Sequence, residues 1–126
     1  MNRSHLPTVF ETGSTEVDGK VLAQSVSLKA DKGYIPTNDV EYILGKHWRN
    51  LKATVGLRDS SPTGAVMKFE VFADGKSVYS YTISLGGAGS VDLGVAGVLT
   101  IKLKVTYLGP DSYDYSYGVW GDALLS

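Results

Sequence analysis

The fold is decided by residues 98–107, VLTIKLKVTY, in which apolar and polar side chains alternate from Leu99 to Tyr107. Threonine and lysine occupy every second position from Thr100 to Thr106. Successive side chains of a β-strand point to opposite faces of its sheet, so this pattern predicts a strand with one buried face and one wet face. The side chains expected on the buried face are Leu99, Ile101, Leu103, Val105 and Tyr107.

Two upstream segments show the same period of two. Residues 51–58, LKATVGLR, alternate in this way, and residues 66–85, VMKFEVFADGKSVYSYTISL, have the pattern of a β-hairpin. Asp74 and Gly75 lie between its two halves and supply the positive φ angles that a tight primed turn requires. The residues expected to face inward are Leu51, Ala53, Val55 and Leu57, then Met67, Phe69 and Val71, with Tyr79, Tyr81 and Ile83 sharing one face of the return strand.

The rest of the chain predicts further short strands and almost no helix. Turn-forming clusters such as RDSSPTG at 58–64 and GGAGS at 86–90 separate the segments. No segment repeats apolar residues at the spacing of a helix face. An all-β fold of two packed antiparallel sheets, a β-sandwich, follows, with a lead-in segment over 1–11 and one domain over 12–126. The weaker strand candidates are Lys20–Leu28, Val40–Leu44, Val91–Leu93 and Gly118–Leu125.

Composition excludes several classes of protein. The 126 residues include 12 basic and 13 acidic side chains, without the basic excess of a nucleic-acid-binding surface. There is no cysteine, which removes disulfides, thiolate metal sites and cysteine nucleophiles. No apolar run approaches the roughly 20 residues of a membrane-spanning helix, and residues 1–14 lack the apolar middle of a signal peptide. We therefore expect neither nucleic acid as a partner nor membrane insertion. The compartment stays open, and an extracellular or cell-surface location is expected if the chain is part of a larger protein.

The sequence offers no recognisable catalytic set. Its two histidines, His5 and His47, have no serine or carboxylate at a spacing typical of a triad. The glycines of GGAGS precede a predicted strand, whereas a phosphate-binding loop opens a helix. No two carboxylates are placed to face each other across a cleft, as glycosidic hydrolysis requires. Asp111 and Asp114 could offer oxygens to a calcium ion, yet their spacing matches no calcium-binding motif, so we expect no cofactor and no enzyme activity.

Residues 109–125, GPDSYDYSYGVWGDALL, hold an unusual concentration of aromatic rings. Tyr113, Tyr115 and Tyr117 alternate with short polar residues, so in an extended chain their rings point the same way. They follow Gly109-Pro110, so we expect them on the loop into the last strand. Binding surfaces of a sandwich commonly form on such loops. Trp120 has two interpretations, a buried core ring or a ring available for stacking. Rings beside polar groups suit either a sugar, stacked through its C–H face, or a protein partner.

Four sequence blocks resemble the NPCBM domain family, which is related to carbohydrate-binding module family 51. The resemblance covers residues 12–125. The family's order is a strand ending in a TVGLDD-like turn, an F-V-ADGK-VY hairpin, a V-L-L-V strand and a Trp-Ala-Asp-Ala-like ending. The corresponding blocks here are LKATVGLRDSS (51–61), VMKFEVFADGKSVYS (66–80), VDLGVAGVLTIKLKVT (91–106) and VWGDALL (119–125), and TEVDGKVLAQSVSL (15–28) resembles the opening segment.

This resemblance implies a jelly-roll-like β-sandwich that is not an enzyme and is usually attached to a larger bacterial protein. It also implies glycan binding through loops at one end, with galactose-containing glycans as the ligands of better-known relatives. The family commonly carries a histidine at the position of Gln24, and acids and a histidine within the run that here reads 116–120. The alternative is therefore a protein-interaction or structural module that has lost the sugar site. The residues expected to contact carbohydrate are Tyr113, Tyr115, Tyr117 and Trp120 by stacking, with Gln24, Arg58, Asp59, Asp114 and Asp122 as hydrogen-bonding groups.

Overall fold

The computed structural model of the chain describes residues 4–5, 15–17, 20–22, 25–30, 36–46, 48–58, 61, 64–109 and 116–126, with side chains from Val26 onward. In these ranges the chain forms strands and no helix, and every strand pair is antiparallel. No helix of the described residues is long and apolar enough to cross a membrane. The strands are β1 (Ser4–His5), β2 (Thr15–Val17), β3 (Lys20–Leu22), β4 (Ser25–Ala30), β5 (Thr37–Ile43), β6 (Asn50–Leu57), β7 (Val66–Ala73), β8 (Lys76–Ser84), β9 (Ala88–Gly94), β10 (Thr100–Gly109) and β11 (Ser116–Leu125).

Two sheets make up the body of the molecule. In the first sheet, β6 lies between β9 and β11, and the other side of β11 pairs with β4 over its first half and with β1 at its end. The second sheet has the order β5-β10-β7-β8, and β2 with β3 forms a separate two-stranded pair. From β4 to β11 only the β7–β8 hairpin stays within one sheet, since every other connection crosses between the sheets. The predicted antiparallel β-sandwich is confirmed.

The core is formed by the alternating apolar residues that the sequence predicts to face inward. In β6, β7 and β10 these side chains are buried, while the intervening residues are exposed or only partly buried apart from Gly56 at the end of β6. The largest fully buried side chain is Trp120 of β11, whose ring meets Phe69 of the opposite sheet. Trp120 and Phe69 are 51 positions apart in the sequence, and the paired residues Val55 and Trp120 are 65 apart, so the core depends on the sandwich topology rather than on local structure. The buried set of these three strands is Leu51, Ala53, Val55, Leu57, Met67, Phe69, Val71, Ile101, Leu103, Val105 and Tyr107.

The hairpin turn of β7 and β8 has the predicted geometry and a further role. Asp74 and Gly75 have φ angles of 48° and 82°, the positive values expected of a two-residue primed turn. The Asp74 carboxylate accepts hydrogen bonds from the backbone N–H groups of Leu99 (3.1 Å) and Thr100 (2.9 Å). Leu99 was predicted to face inward, and this is wrong: the residue is 46% exposed, because it lies before β10 in the connection whose N–H groups Asp74 binds, outside the alternation of the strand.

Part of the predicted turn cluster GGAGS is also strand. Residues 88–90 belong to β9 and pair with residues 54–56 of β6. A Cβ atom at Gly89 would lie 3.3 Å from a methyl group of Val55 and 3.4 Å from one of Ile83. A glycine in a strand marks a close approach, and here the edge strands of the two sheets meet over it. The turn itself is limited to residues 85–87.

Candidate functional site

Eight strand ends lie together at one end of the sandwich, which we call the Tyr117 end. They are the last residues of β4, β6, β8 and β10 and the first residues of β5, β7, β9 and β11. The pairing of Ala30 with Ser116 and of Val66 with Ser84 brings these strand ends together, and the Tyr107 N–H donates to the Pro36 carbonyl at the same level. The opposite end carries three connections, around Trp48, Asp74 and residues 95–99.

A closed set of hydrogen bonds holds Arg58 and Tyr117 side by side at this end. The Arg58 N–H donates to the Tyr117 carbonyl at 2.9 Å, and the Tyr117 N–H donates to Oγ of Ser61 at 3.1 Å. Ser61 is buried, and its own N–H donates to the Arg58 carbonyl at 2.9 Å. Because each of the three residues bonds to the next, the turn after β6 fixes the start of β11.

The side chains of the pair also make contact. The guanidinium carbon of Arg58 lies 4.1 Å from the centroid of the Tyr117 ring, a cation–π geometry. Arg58 follows the inward-facing Leu57, and Tyr117 precedes Gly118, whose Cβ position faces the core, so both side chains lie on the outer face of the first sheet. A half-buried ring beside a planar group with five N–H donors can bind a ligand that has an apolar face and oxygen acceptors. Sequence reasoning placed Ser61 only in a turn; its role in positioning Tyr117 appears only with the fold.

The other described candidates lie elsewhere. Trp120 was also offered as a stacking residue, and this is wrong, because its ring is fully buried between the sheets and has no face left for a ligand. Tyr117 itself was expected on a loop and lies within β11. Asp122 is exposed on β11 five residues beyond Tyr117, about 15 Å away at the rise of a strand, so the structure does not bring it to the Tyr117 end.

Asp122 lies at an irregularity of β11. The pairing of β11 with β6 shifts register between Gly121 and Leu124, and Asp122 has a φ of 48°. This is the geometry of a β-bulge, in which one extra residue bends the strand. The bulge opens onto a shallow depression of about 350 Å³ on the outer face of the first sheet, lined by polar side chains that include Lys52, Thr54, Ser90 and Asp92.

Five of the predicted contact residues, and some related candidates, lie outside the described residues. The five are Gln24, Asp59, Tyr113, Asp114 and Tyr115; Asp111 and His47 lie outside them as well. Within the described part of the chain, no group of three His, Cys, Asp or Glu side chains could hold a metal ion.

A second aromatic pair, Tyr79 and Tyr81, lies on β8, where this edge strand of the second sheet faces the edge strand β9 of the first. The two rings are nearly parallel, with centroids 6.5 Å apart and planes 12° apart, and Tyr81 is 50% exposed. The Tyr79 hydroxyl donates to the Ser90 carbonyl of β9 at 3.3 Å. Burial, and secondarily the charge of Tyr81, raises the pKa of Tyr79. The predicted shared face is confirmed, but only Ile83 of the three residues is buried.

Comparison with known proteins places this fold and sequence in a family. The family model of the NPCBM/NEW2 domain matches residues 31–126. No protein with a curated function matches the chain significantly in sequence.

Solved structures show the same sandwich. The CBM51 module of a GH95 protein from Clostridium perfringens, in complex with methyl-galactose, is 22% identical with a TM-score of 0.70, and the match covers 99% of this chain and 92% of that one. Tandem CBM51 modules of a family 98 glycoside hydrolase from Streptococcus pneumoniae are 24% identical with a TM-score of 0.69, over 91% of this chain and 36% of that one.

A third similar structure contains a CBM51 module and INT domains of ZmpB from Clostridium perfringens, in complex with GlcNAc. It is 15% identical with a TM-score of 0.68, over 98% of this chain and 29% of that one. The present chain thus spans about a third of the length of the last two proteins and most of the first. At these identities the likeness establishes a shared fold.

Proposed function

The chain belongs to the NPCBM/NEW2 domain family, and on this basis we propose that it is a non-catalytic carbohydrate-binding module that holds a glycan at the Tyr117 end. The contact of the Arg58 guanidinium with the Tyr117 ring is the observation that carries the site. A pyranose has one C–H face that can pack on an aromatic ring and hydroxyl oxygens that accept from guanidinium N–H groups. The Arg58 guanidinium and the Tyr117 ring are carried by backbone segments that are hydrogen-bonded to each other. Little conformational order therefore has to be gained when a sugar binds.

The chemistry of the similar structures supports a choice of sugar. Methyl-galactose and GlcNAc are present in two of them. Galactose-containing glycans are therefore the first ligands proposed. One stacked ring and a few hydroxyl hydrogen bonds give about 4–6 kcal/mol, which corresponds to dissociation constants from about a millimolar to tens of micromolar.

The test is a titration of the folded chain with methyl-galactose and with GlcNAc, in which binding is monitored through NMR amide shifts. We expect shifts at Arg58, Ser61 and Tyr117, and loss of binding in Tyr117→Ala with the fold intact. Tyr81→Ala is the matched control, because it removes an exposed ring from a different surface. A glycan panel with no binding to wild-type protein would reject the proposal, and so would turnover of any glycan by the chain.

We also propose that the domain acts as one part of a larger protein at the cell surface. Two of the similar structures are about three times longer than this chain, and one of them belongs to a glycoside hydrolase. In such an arrangement a weakly binding module raises the local concentration of its partner domain at the glycan.

The exposed edge strand β8 favours a second candidate, a protein-interaction module. This strand is nine residues long, carries the exposed side chains Val78 and Tyr81, and its only charged residue is Lys76. Edge strands with few charges and no proline can pair with a strand of another protein. Concentration-dependent association that Tyr81→Lys abolishes, together with no glycan binding, would favour this function over the first.

A further inference from the structure

The outer face of the second sheet carries an unusual group of side chains around Phe72, which we call the Phe72 face. The strand register places Glu41 of β5, Lys102 of β10 and Phe72 of β7 in one row across the sheet. These positions alternate with buried ones in β7 and β10 and with partly buried ones in β5, so all three side chains point to the solvent side. The next row along the strands consists of Asp39, Lys104 and Glu70.

The residues of the two rows other than Glu70 border a groove of about 260 Å³. Phe72 is half-buried and lines the groove together with Thr100. Adjacent strands lie about 4.8 Å apart and the two rows about 7 Å apart, so three strands offer a surface of about 10 Å by 7 Å. That surface is longer than one pyranose ring and accommodates about two linked ones.

The charges that line the groove are not paired with one another. In the described part of the chain, the ion pair of this face is Lys68 with Glu70, at 3.9 Å. Asp39, Glu41, Lys102 and Lys104 make no contact with an opposite charge within 4.0 Å among the described residues, although the register sets acids opposite lysines. Cross-strand pairs of opposite charge ordinarily stabilise a sheet by direct contact. Here their donors and acceptors remain available to a ligand.

We propose that the Phe72 face is a second glycan-binding site, which takes a neutral, unbranched glycan across β5, β10 and β7; this inference rests on the proposed function. The two acids and two lysines of the groove cancel in charge, so no net field favours an anion or a cation. Sugar hydroxyls both donate and accept, and the groove offers three donors at each ammonium group and acceptors at each carboxylate. The Phe72 ring supplies the apolar surface for the C–H face of one sugar.

This site is independent of the Tyr117 end. Arg58 and Tyr117 lie on the outer face of the first sheet, whereas Phe72 lies on the outer face of the second. Packed sheets are about 10 Å apart, so one sugar unit cannot contact both sites. A variant that removes one site therefore leaves the other intact.

Affinity as a function of glycan length tests the inference. The full chain is titrated with methyl-galactose and with β-1,4-linked trisaccharides of glucose, mannose, galactose and xylose, and the amide shifts are mapped. We expect at least one trisaccharide to shift Phe72, Lys102 and Lys104, and Phe72→Ala to weaken it about tenfold, which is about 1.4 kcal/mol. Lys102→Met and Glu41→Gln should each weaken it several-fold, and Tyr81→Ala, the exposed-ring control, should leave it unchanged. Thermal unfolding of each variant checks that the fold is retained.

The possible results separate the two proposals. Trisaccharide binding that depends on Phe72 and not on Tyr117 supports the second site. Glycan binding that shifts only the Tyr117 end, or that Phe72→Ala and Lys102→Met leave unchanged, overturns the second site and leaves the proposed function standing. Absence of binding to every sugar by wild-type protein rejects both. Self-association through the Phe72 face, seen as a dimer that Phe72→Ala dissociates, would also overturn the inference.

Discussion

The indole ring of Trp120 meets the phenyl ring of Phe69 edge to face, with centroids 5.4 Å apart and planes at 74°. Trp120 belongs to the central strand of the first sheet and Phe69 to an inner strand of the second, so this contact joins the two sheets at their middle. Edge-to-face pairs of this kind stabilise a core by about 0.5–1.5 kcal/mol beyond the area that they bury.

The Trp120 ring also bears a cost, because its buried Nε1–H has no hydrogen-bond partner among the described residues. We expect Trp120→Ala to lower the free energy of unfolding by about 3–5 kcal/mol. Trp120→Phe should cost less than half as much, since it keeps an aromatic ring and removes an unsatisfied donor worth about 1–3 kcal/mol. Urea unfolding followed by circular dichroism measures both; equal losses would contradict this account.

Any side chain at position 118 should destabilise the fold, because the core leaves no room for one. A Cβ atom there would lie 2.6 Å from Cγ1 of Val105 and 3.1 Å from both Sδ of Met67 and Cε1 of Phe69. Gly118→Ala should therefore destabilise the fold by about 2 kcal/mol through overpacking. Gly94→Ala is the control, because no atom lies within 4 Å of that Cβ position. Gly94→Ala should change stability by less than about 1 kcal/mol in chemical unfolding. The explanation fails if the two variants unfold alike.

Asp74 should contribute to stability through its carboxylate as well as through its backbone. Asp74→Ala removes the acceptor of the Leu99 and Thr100 N–H groups and places alanine at a φ of 48°. We expect a loss of about 1–3 kcal/mol. Asp74→Asn keeps one oxygen acceptor and tolerates positive φ, so it should lose less than half of that. Thermal unfolding compares them, and an asparagine variant as unstable as the alanine variant would argue against the hydrogen bonds.

Stability should fall at alkaline pH because of Tyr42. Burial raises the pKa of Tyr42 from 10.0 to about 12 in the folded protein. Between these values the unfolded chain releases a proton that the folded chain retains, so the stabilisation present below pH 10 is lost as the pH rises towards 12. Urea midpoints measured from pH 9 to pH 12 should fall more steeply for the wild type than for Tyr42→Phe. Parallel curves would assign the decline to other groups.

Glycan affinity should distinguish arginine from lysine at position 58. Arg58→Lys keeps the charge but loses the planar group that stacks on Tyr117 and its fork of donors. We expect affinity for the sugar bound at the Tyr117 end to fall about tenfold, nearly as far as in Arg58→Ala. Lys52→Arg, on the outer face of the same sheet, is the control and should bind normally. Full retention of affinity by Arg58→Lys would indicate that only the charge matters.

The sandwich could be predicted from the sequence because β6, β7 and β10 each bury one face and leave the other exposed or partly buried. In β10 the lysines and threonines reveal the solvent side directly, and the Asp74-Gly75 pair identifies the hairpin. Leu99 was misplaced because a period of two does not show where a strand begins. Gly89 was misplaced because the sequence does not distinguish a glycine of a turn from one that makes room between two sheets.

The candidate site was less accessible to sequence reasoning. The alternation of Tyr117 with small residues did indicate a ring on one face, and the structure adds Arg58 as its neighbour. That contact joins residues 59 positions apart in the sequence, and only the pairing of β6 with β11 creates it. Asp122 looked like the other hydrogen-bonding candidates in the sequence. It does not lie at the Tyr117 end, because it is five residues beyond Tyr117 on β11, at a bulge. The Phe72 face was missed because its members come from three strands.

The position of β11 has a consequence for synthesis on the ribosome. Of the strands in the described ranges this one is made last, yet it lies between β6 on one side and β4 with β1 on the other. Until it emerges from the exit tunnel, β4 and β1 have no neighbour in their sheet, and the ring that fills the middle of the core is missing. The nascent chain therefore keeps these apolar faces uncovered until β11 has emerged, and the two sheets should close over the core only then.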